Sequence, residues 1–211
     1  MTAVGQPCEQ TGLGGRQIDI RHADLGESER TGPALYLHDQ LRTIDLSAAD
    51  LHPPIVKTVA WAHEDDTRAF ADHLSRQAGL RRAFIELQGD LGAGKTTLVR
   101  HLLRCLGVQG RIKSPTYAVV EPHEVPDAAS PDGLLRIWHF DFYRFNDPRE
   151  WEDAGFRDLF ASPGLKLAEW PEKAAAQLPP ADLVVAIQAR ADDTREVTLT
   201  AQTTLGRSLL A

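Results

Sequence analysis

The chain has 211 residues, of which 42% are hydrophobic, enough for one sizeable domain with a real core. A net charge of −7 and a pI of about 5.6 argue against a broad, sequence-independent nucleic-acid surface, though they leave room for a local basic patch. The two cysteines, Cys8 and Cys105, offer neither a disulfide framework nor metal-ligand spacing. No apolar run is long enough to span a bilayer, and residues 1–30 lack the basic start and apolar stretch of a secretion signal. These features point to a reducing, cytoplasmic setting with no membrane partner, in which Cys105 is expected to be an inert buried thiol.

Residues 1–54 stand apart. They hold six glycines and four prolines, with eight acidic against four basic residues. Leu35 to Leu37 and Leu41 to Leu46 read as short ordered pieces, but no periodicity is sustained, so a mostly disordered N-terminal extension is expected. The folded domain is expected over residues 55–211. Ile55 to Ala60 reads as a strand. Glu64-Asp65-Asp66 then opens a helix, capped by Asp65 or Asp66, with Phe70, Ala71, Leu74 and Ala78 on one face and Gly79 as its stop. Ala83 to Leu87 reads as a buried strand. The next helix starts near Lys95, carries apolar residues at Leu98, Val99, Leu102, Leu103 and Leu106, and stops at Gly107.

Between that strand and that helix lies Gly89-Asp90-Leu91-Gly92-Ala93-Gly94-Lys95-Thr96-Thr97, which fits G-x-x-x-x-G-K-[ST] at every fixed position. Strand, glycine loop and helix in this order are the context of a phosphate-binding loop. Its glycines permit backbone angles that turn successive N–H groups inward around a phosphate, and the helix adds its positive end. Lys95 supplies a mobile charge for the outer phosphates, and the Thr96 hydroxyl is placed for Mg²⁺.

Further on, Pro115 interrupts the segment Gly110 to Tyr117, and Ala118 to Val120 reads as a strand. His123 to Gly133 reads as a loop. Leu134 to Phe140 reads as a strand running into Asp141 and antiparallel to its neighbour. Asp147-Pro148 reads as a helix start, and Leu165 to Ala168 as a strand ending on Glu169. Strands at Leu183 to Ile187 and Glu196 to Thr200 and a closing helix at Leu205 to Leu210 complete the chain. The fold expected is α/β, three-layered, with a mixed sheet that is parallel around the phosphate loop and antiparallel beside it.

Phosphate-loop enzymes place an acid at a neighbouring strand end to serve the metal. Asp141 and Glu169 both qualify, and the residues themselves do not rank them. Ser114-Pro115-Thr116-Tyr117 carries hydroxyls in a loop able to close over a γ-phosphate. His139 shares a strand face with Asp141, and Arg144 is suited either to phosphate or to an acid.

Four segments taken together resemble one family. They are the loop Gly89 to Thr97, Lys113-Ser114-Pro115-Thr116-Tyr117, His139-Phe140-Asp141-Phe142-Tyr143-Arg144 and Glu169-Trp170-Pro171. In this order and spacing they are similar to the TsaE family, also called YjeE, over roughly Ile55 to the C-terminus. The resemblance implies a P-loop NTPase fold and a slow, partner-stimulated ATPase. Such an ATPase supports N6-threonylcarbamoyl modification of adenosine in tRNAs reading codons that begin with A (t6A37). It works with TsaB and TsaD and reaches tRNA only through that complex. Carried over by motif, Lys95 and the loop Gly89, Asp90, Leu91, Gly92, Ala93, Gly94, Thr96 and Thr97 hold the ATP phosphates, and Thr96 and Glu169 bind Mg²⁺. Asp141 takes the Walker B position. Ser114, Pro115, Thr116 and Tyr117 form a switch-like loop, Thr67 lies near the adenine, and Trp170 stands beside the metal ligand. Lys95, Asp141 and Glu169 are therefore the expected catalytic set. The 54-residue front and the length of the His123–Gly133 loop depart from the family pattern. A small-molecule kinase would want an arginine-rich lid after the third strand, and a GTP switch an Asn-Lys-x-Asp motif. The sequence shows neither. A nucleotide-dependent binding module with negligible turnover is the nearest rival.

Overall fold

In a computed structural model, residues 53–145, 149, 151 and 154–211 are described, all within the unit Asp45–Ala211. The expected N-terminal extension, apart from Pro53 and Pro54, and the helix start at Asp147 lie outside the described residues. The first element is β1, Ile55–Trp61, followed by α1, Glu64–Ser75. Next come β2, Phe84–Gln88, and α2, Lys95–Cys105. After these are β3, Val120–Pro126, and β4, Leu134–Asp141. A short helix α3, Phe156–Ala161, leads to β5, Leu165–Glu169. The last elements are β6, Leu183–Ala189, β7, Arg195–Ala201, and α4, Thr204–Leu209.

The strands form one sheet in the order β1-β7-β6-β2-β5-β4-β3. The four central strands β6, β2, β5 and β4 run parallel, and the outer pairs are antiparallel. The mixed α/β sheet expected from sequence is therefore present. Strand alternation divides the core in two. Leu135 and Ile137 of β4 and Leu165 and Leu167 of β5 pack with α1 and α2 in an aliphatic layer. The intervening Trp138, Phe140 and Ala168 point into an aromatic layer with Phe142, Trp151 and Phe156. Phe140 meets Phe156 edge-on at 5.6 Å between ring centres, a preferred aromatic geometry. Burial of each such ring stabilises the fold by roughly 2–3 kcal/mol.

Several local expectations need correction. The first helix is not capped by Asp65 or Asp66. His63 is its N-cap, and Asp66 sits at the third helical position, from which its carboxylate accepts from the amides of Ala62 (2.7 Å) and His63 (2.9 Å). These amides hold its pKa below the ordinary value. The helix ends at Ser75, and Ala78 belongs to a separate 3-10 turn, Ala78–Arg82. Gly79 is a point of close packing rather than a stop, because a Cβ there would lie 2.6 Å from Leu205 of α4. The strand expected at Ala118 to Val120 begins only at Val120 and continues to Pro126, taking the first four of the eleven residues of the expected loop. Cys105 is exposed, at the end of α2 beyond its last buried residue, Leu103.

Asp182 ties the start of β2 to the C-terminal helix. Its carboxylate accepts from the Phe84 amide at 2.9 Å and from the Thr203 hydroxyl at 2.5 Å, and Thr203 Oγ1 in turn caps α4 by accepting from the Gly206 amide at 3.0 Å. Asp182→Ala is expected to cost about 2 kcal/mol. Urea unfolding should show a lower midpoint at an unchanged slope.

Candidate functional site

β2 lies between β6 and β5, so the loop leaving it opens at the carboxyl edge of the parallel strands, where open α/β sheets bind ligands. Two of its positions demand glycine. Gly89 has φ 135°, and a Cβ there would lie 2.2 Å from the Ile187 carbonyl oxygen; Gly94, the N-cap of α2, has φ 116°. A glycine cap brings no side-chain acceptor to the N-terminal amides of α2, which leaves them suited to an anion.

Lys95 is buried. Its ammonium donates to the carbonyls of Gly89 (2.5 Å) and Asp90 (2.9 Å) and stands 3.8 Å from the centre of the Trp170 ring. Burial pushes its pKa below the ordinary lysine value, opposed by the nearby carboxylates of Glu169, Glu172, Asp141 and Asp90. One residue on, the Thr96 hydroxyl donates to Glu169 Oε2 at 2.8 Å. The other oxygen, Oε1, lies 2.8 Å from Nε2 of His139. Both His139 and Glu169 are buried.

Asp141 and Glu169 are paired across β4 and β5, so the two acids suggested by sequence stand side by side but hold different partners. Asp141 Oδ2 accepts from the hydroxyls of Ser114 and Thr116, the latter at 2.9 Å, while Oδ1 accepts from the Tyr143 amide at 3.0 Å. The Ser114–Tyr117 loop is thus moored to Asp141. Pro115 is buried beneath it, and Tyr117 is 85% exposed, with the Arg144 guanidinium 4.3 Å from its ring centre.

A cavity of about 290 Å³ is lined by Leu91, Gly92, Gly94, Lys95, Thr96 and Thr97 of the loop and α2, by Ser114 and Thr116, and by Asp141, Glu169 and Trp170. Most of the site residues suggested by sequence meet there. Asp90 is exposed and takes part through its backbone carbonyl. A second cavity of about 270 Å³ shares Gly92, Gly94 and Thr97 with the first and is lined by Ala93 and Thr67. It also contains Trp61, His63 and Arg195, which sequence reasoning did not single out. Arg195 is fixed there by donating from Nε to the Ala93 carbonyl at 3.1 Å. In the sequence it stands just before the expected last strand, Glu196 to Thr200, and no motif marks it. The two cavities, of similar volume, lie on either side of one glycine loop.

Residues 61–197 match the family model described as threonylcarbamoyl adenosine biosynthesis protein TsaE. This chain belongs to the TsaE family. It is 42% identical to the tRNA threonylcarbamoyladenosine biosynthesis protein TsaE of Haemophilus influenzae, over 68% of this chain and 86% of that one. It is 34% identical to the TsaE protein of Bacillus subtilis, over 69% of this chain and 87% of that one. The crystal structure of Bacillus subtilis YdiB superposes with a TM-score of 0.57 at 26% identity, covering 75% of this chain and 94% of that one. The sheet described above is thus the P-loop NTPase fold of TsaE proteins.

The mooring of the TsaE loop makes a direct prediction. In Asp141→Ala both acceptor oxygens are removed, so neither the Tyr143 amide nor the hydroxyls of Ser114 and Thr116 keep their partner. Hydrogen exchange across residues 113–119 should accelerate several-fold, with exchange in α2 unchanged.

Proposed function

We propose that this TsaE-family chain binds Mg–ATP and hydrolyses it in support of threonylcarbamoyladenosine biosynthesis on tRNA. The observation that carries the nucleotide reading is the contact between Thr96 and Glu169, directly after a glycine loop and beside a buried lysine. The biosynthetic role is supported by the family description and by the names of both relatives.

In this reading the amides of Gly89 to Thr97 surround the phosphates, and Lys95 turns from its two backbone carbonyls to the outer phosphate oxygens. A hydroxyl and a carboxylate 2.8 Å apart are hard oxygen donors of the kind Mg²⁺ takes, so Thr96 and Glu169 fit the ion. When bound, it neutralises charge developing on the β- and γ-phosphate oxygens. His139 holds the Glu169 carboxylate in place. Ser114 and Thr116 exchange the Asp141 carboxylate for the γ-phosphate, which frees Asp141 to orient the attacking water. The larger aromatic end of ATP lies by Thr67 in the compartment with Trp61 and Arg195, and Trp170 keeps water from the lysine.

The partners of this reading are TsaB and TsaD, with tRNA reached through their complex. Leu91, 77% exposed, Tyr117 and Tyr143 set large apolar groups around the mouth of the site, where a protein partner would sense the state of the loop. The net charge of −7 suits a protein surface better than direct tRNA capture. A cytoplasmic location goes with this role, and among the described residues no helix is long and apolar enough to cross a membrane.

Phosphate release from Mg–ATP by the full chain, measured with and without TsaB–TsaD, tests the proposal. Lys95→Ala is expected to lower the rate by roughly 100-fold or more. Equal rates in wild type and variant would contradict it. Transfer of the phosphate to an added acceptor would mark a kinase, and no release even with both partners would mark a binding module.

A further inference from the structure

Next to the proposed nucleotide site, the sheet edge holds a cluster of which the ATPase reading uses only His139, and that through its Nε2. The β3–β4 register sets Glu121 directly opposite His139, and His123 two residues further along the same strand. Side chains two apart on a strand share a face, so the three groups project together. One ligand atom from each lies within 4.8 Å of the other two. His139 is fully buried; its Nε2 faces Glu169, while its Nδ1 has no hydrogen-bond partner among the described residues. His123 Nε2 is likewise buried and without a partner there. Buried polar atoms are nearly always satisfied, and two open imidazole nitrogens beside a carboxylate make the donor set of a borderline-soft dication.

We propose that Glu121, His123 and His139 form a binding site for a transition-metal dication of the zinc class. Two imidazoles and a carboxylate are unsuited to Mg²⁺, which takes oxygen donors, and well suited to zinc. Ligand atoms of a tetrahedral zinc stand roughly 3.4 Å apart, from bonds of about 2.0–2.1 Å. Closing the cluster to that size calls for small rotations of Glu121 and His123, both half-buried, around the fixed His139. Water takes the fourth position at the exposed edge. With its Nδ1 on the metal, His139 carries its proton on Nε2 and donates it to Glu169 Oε1, the carboxylate–histidine–metal arrangement that orients ligands in many metalloproteins. That leaves Glu169 Oε2 for Thr96. The edge site thereby sets the orientation of the carboxylate nearest the phosphate loop without entering the loop. This site stands whether or not the chain hydrolyses ATP.

The test is calorimetric titration of the nucleotide-free full-length chain with Zn²⁺, repeated with Co²⁺ to read the visible absorption of tetrahedral nitrogen–oxygen coordination. One equivalent should bind. His123→Phe should weaken it more than tenfold and remove the Co²⁺ bands, and Glu121→Gln should weaken it about tenfold. Lys95→Ala and Cys8→Ser should bind as wild type does, the former separating this site from the nucleotide site. Both cluster variants alter half-buried side chains, and unchanged circular dichroism and melting would show that they fold. No zinc binding by the wild type, binding that survives both cluster variants, or binding lost with Cys8 would overturn the proposal.

Discussion

The carboxylate of Glu169 connects three parts of the molecule that are far apart in sequence. One oxygen accepts from Thr96 at the first turn of α2, and the other meets His139 on β4. The carboxylate itself stands at the end of β5, buried in the middle of the sheet. A buried carboxylate is costly unless each oxygen is satisfied, so the phosphate-loop helix, the central strand and its neighbour must be in register for this group to be tolerated. The parallel pairing of β2, β5 and β4 supplies that register, with Leu87 beside Glu169 and Glu169 beside Asp141. Without that register the two acids, the lysine and the loop hydroxyls would not share one cavity.

Backbone strain gathers around the same acids. Trp170, immediately after Glu169, has φ 57°, and Val119, whose carbonyl accepts from the Asp141 amide at 2.8 Å, has φ 63°. Left-handed conformations cost roughly 1–2 kcal/mol in residues other than glycine, more for a β-branched side chain such as valine, and persist where surrounding contacts hold them. At Trp170 the turn brings the indole against the Lys95 ammonium and, at 5.0 Å, against the Tyr143 ring. The Glu169 carbonyl, accepting from the Phe142 amide at 3.0 Å, pins the turn to the end of β4. The strain therefore sits where β5 releases the chain into the site and where the chain leaves the site to enter β3. The aromatic layer on the far face, built on Phe140 and Phe142, supplies a rigid backing.

The sequence made the phosphate loop legible because its demands are local. Glycines at fixed spacing, a lysine and a threonine at the helix start, and an apolar strand ahead need no knowledge of the rest of the chain. Asp141 and Glu169 were legible as strand-end acids, but not their division of partners, since that depends on strand order. The extent of β3 was hidden by Pro122 and Pro126. The strand lies at the edge of the sheet, where one row of amides has no neighbour and proline is tolerated. The compartment containing Trp61, His63 and Arg195 was missed because its walls come from β1, α1 and β7, and no spacing rule joins residues over a hundred positions apart. Cys105 was misplaced by the general habit of cysteine to be buried, which its place at the end of α2 overrides.

The central claim is that Glu169 and Thr96 couple a magnesium ion to nucleotide at the phosphate loop. The most direct measurement is calorimetric ATP affinity with and without Mg²⁺, compared between wild type and Glu169→Gln. The account predicts that Mg²⁺ tightens ATP binding about tenfold or more in the wild type. It predicts that this enhancement disappears in Glu169→Gln while magnesium-free affinity is retained. An equal enhancement by Mg²⁺ in both proteins would contradict it.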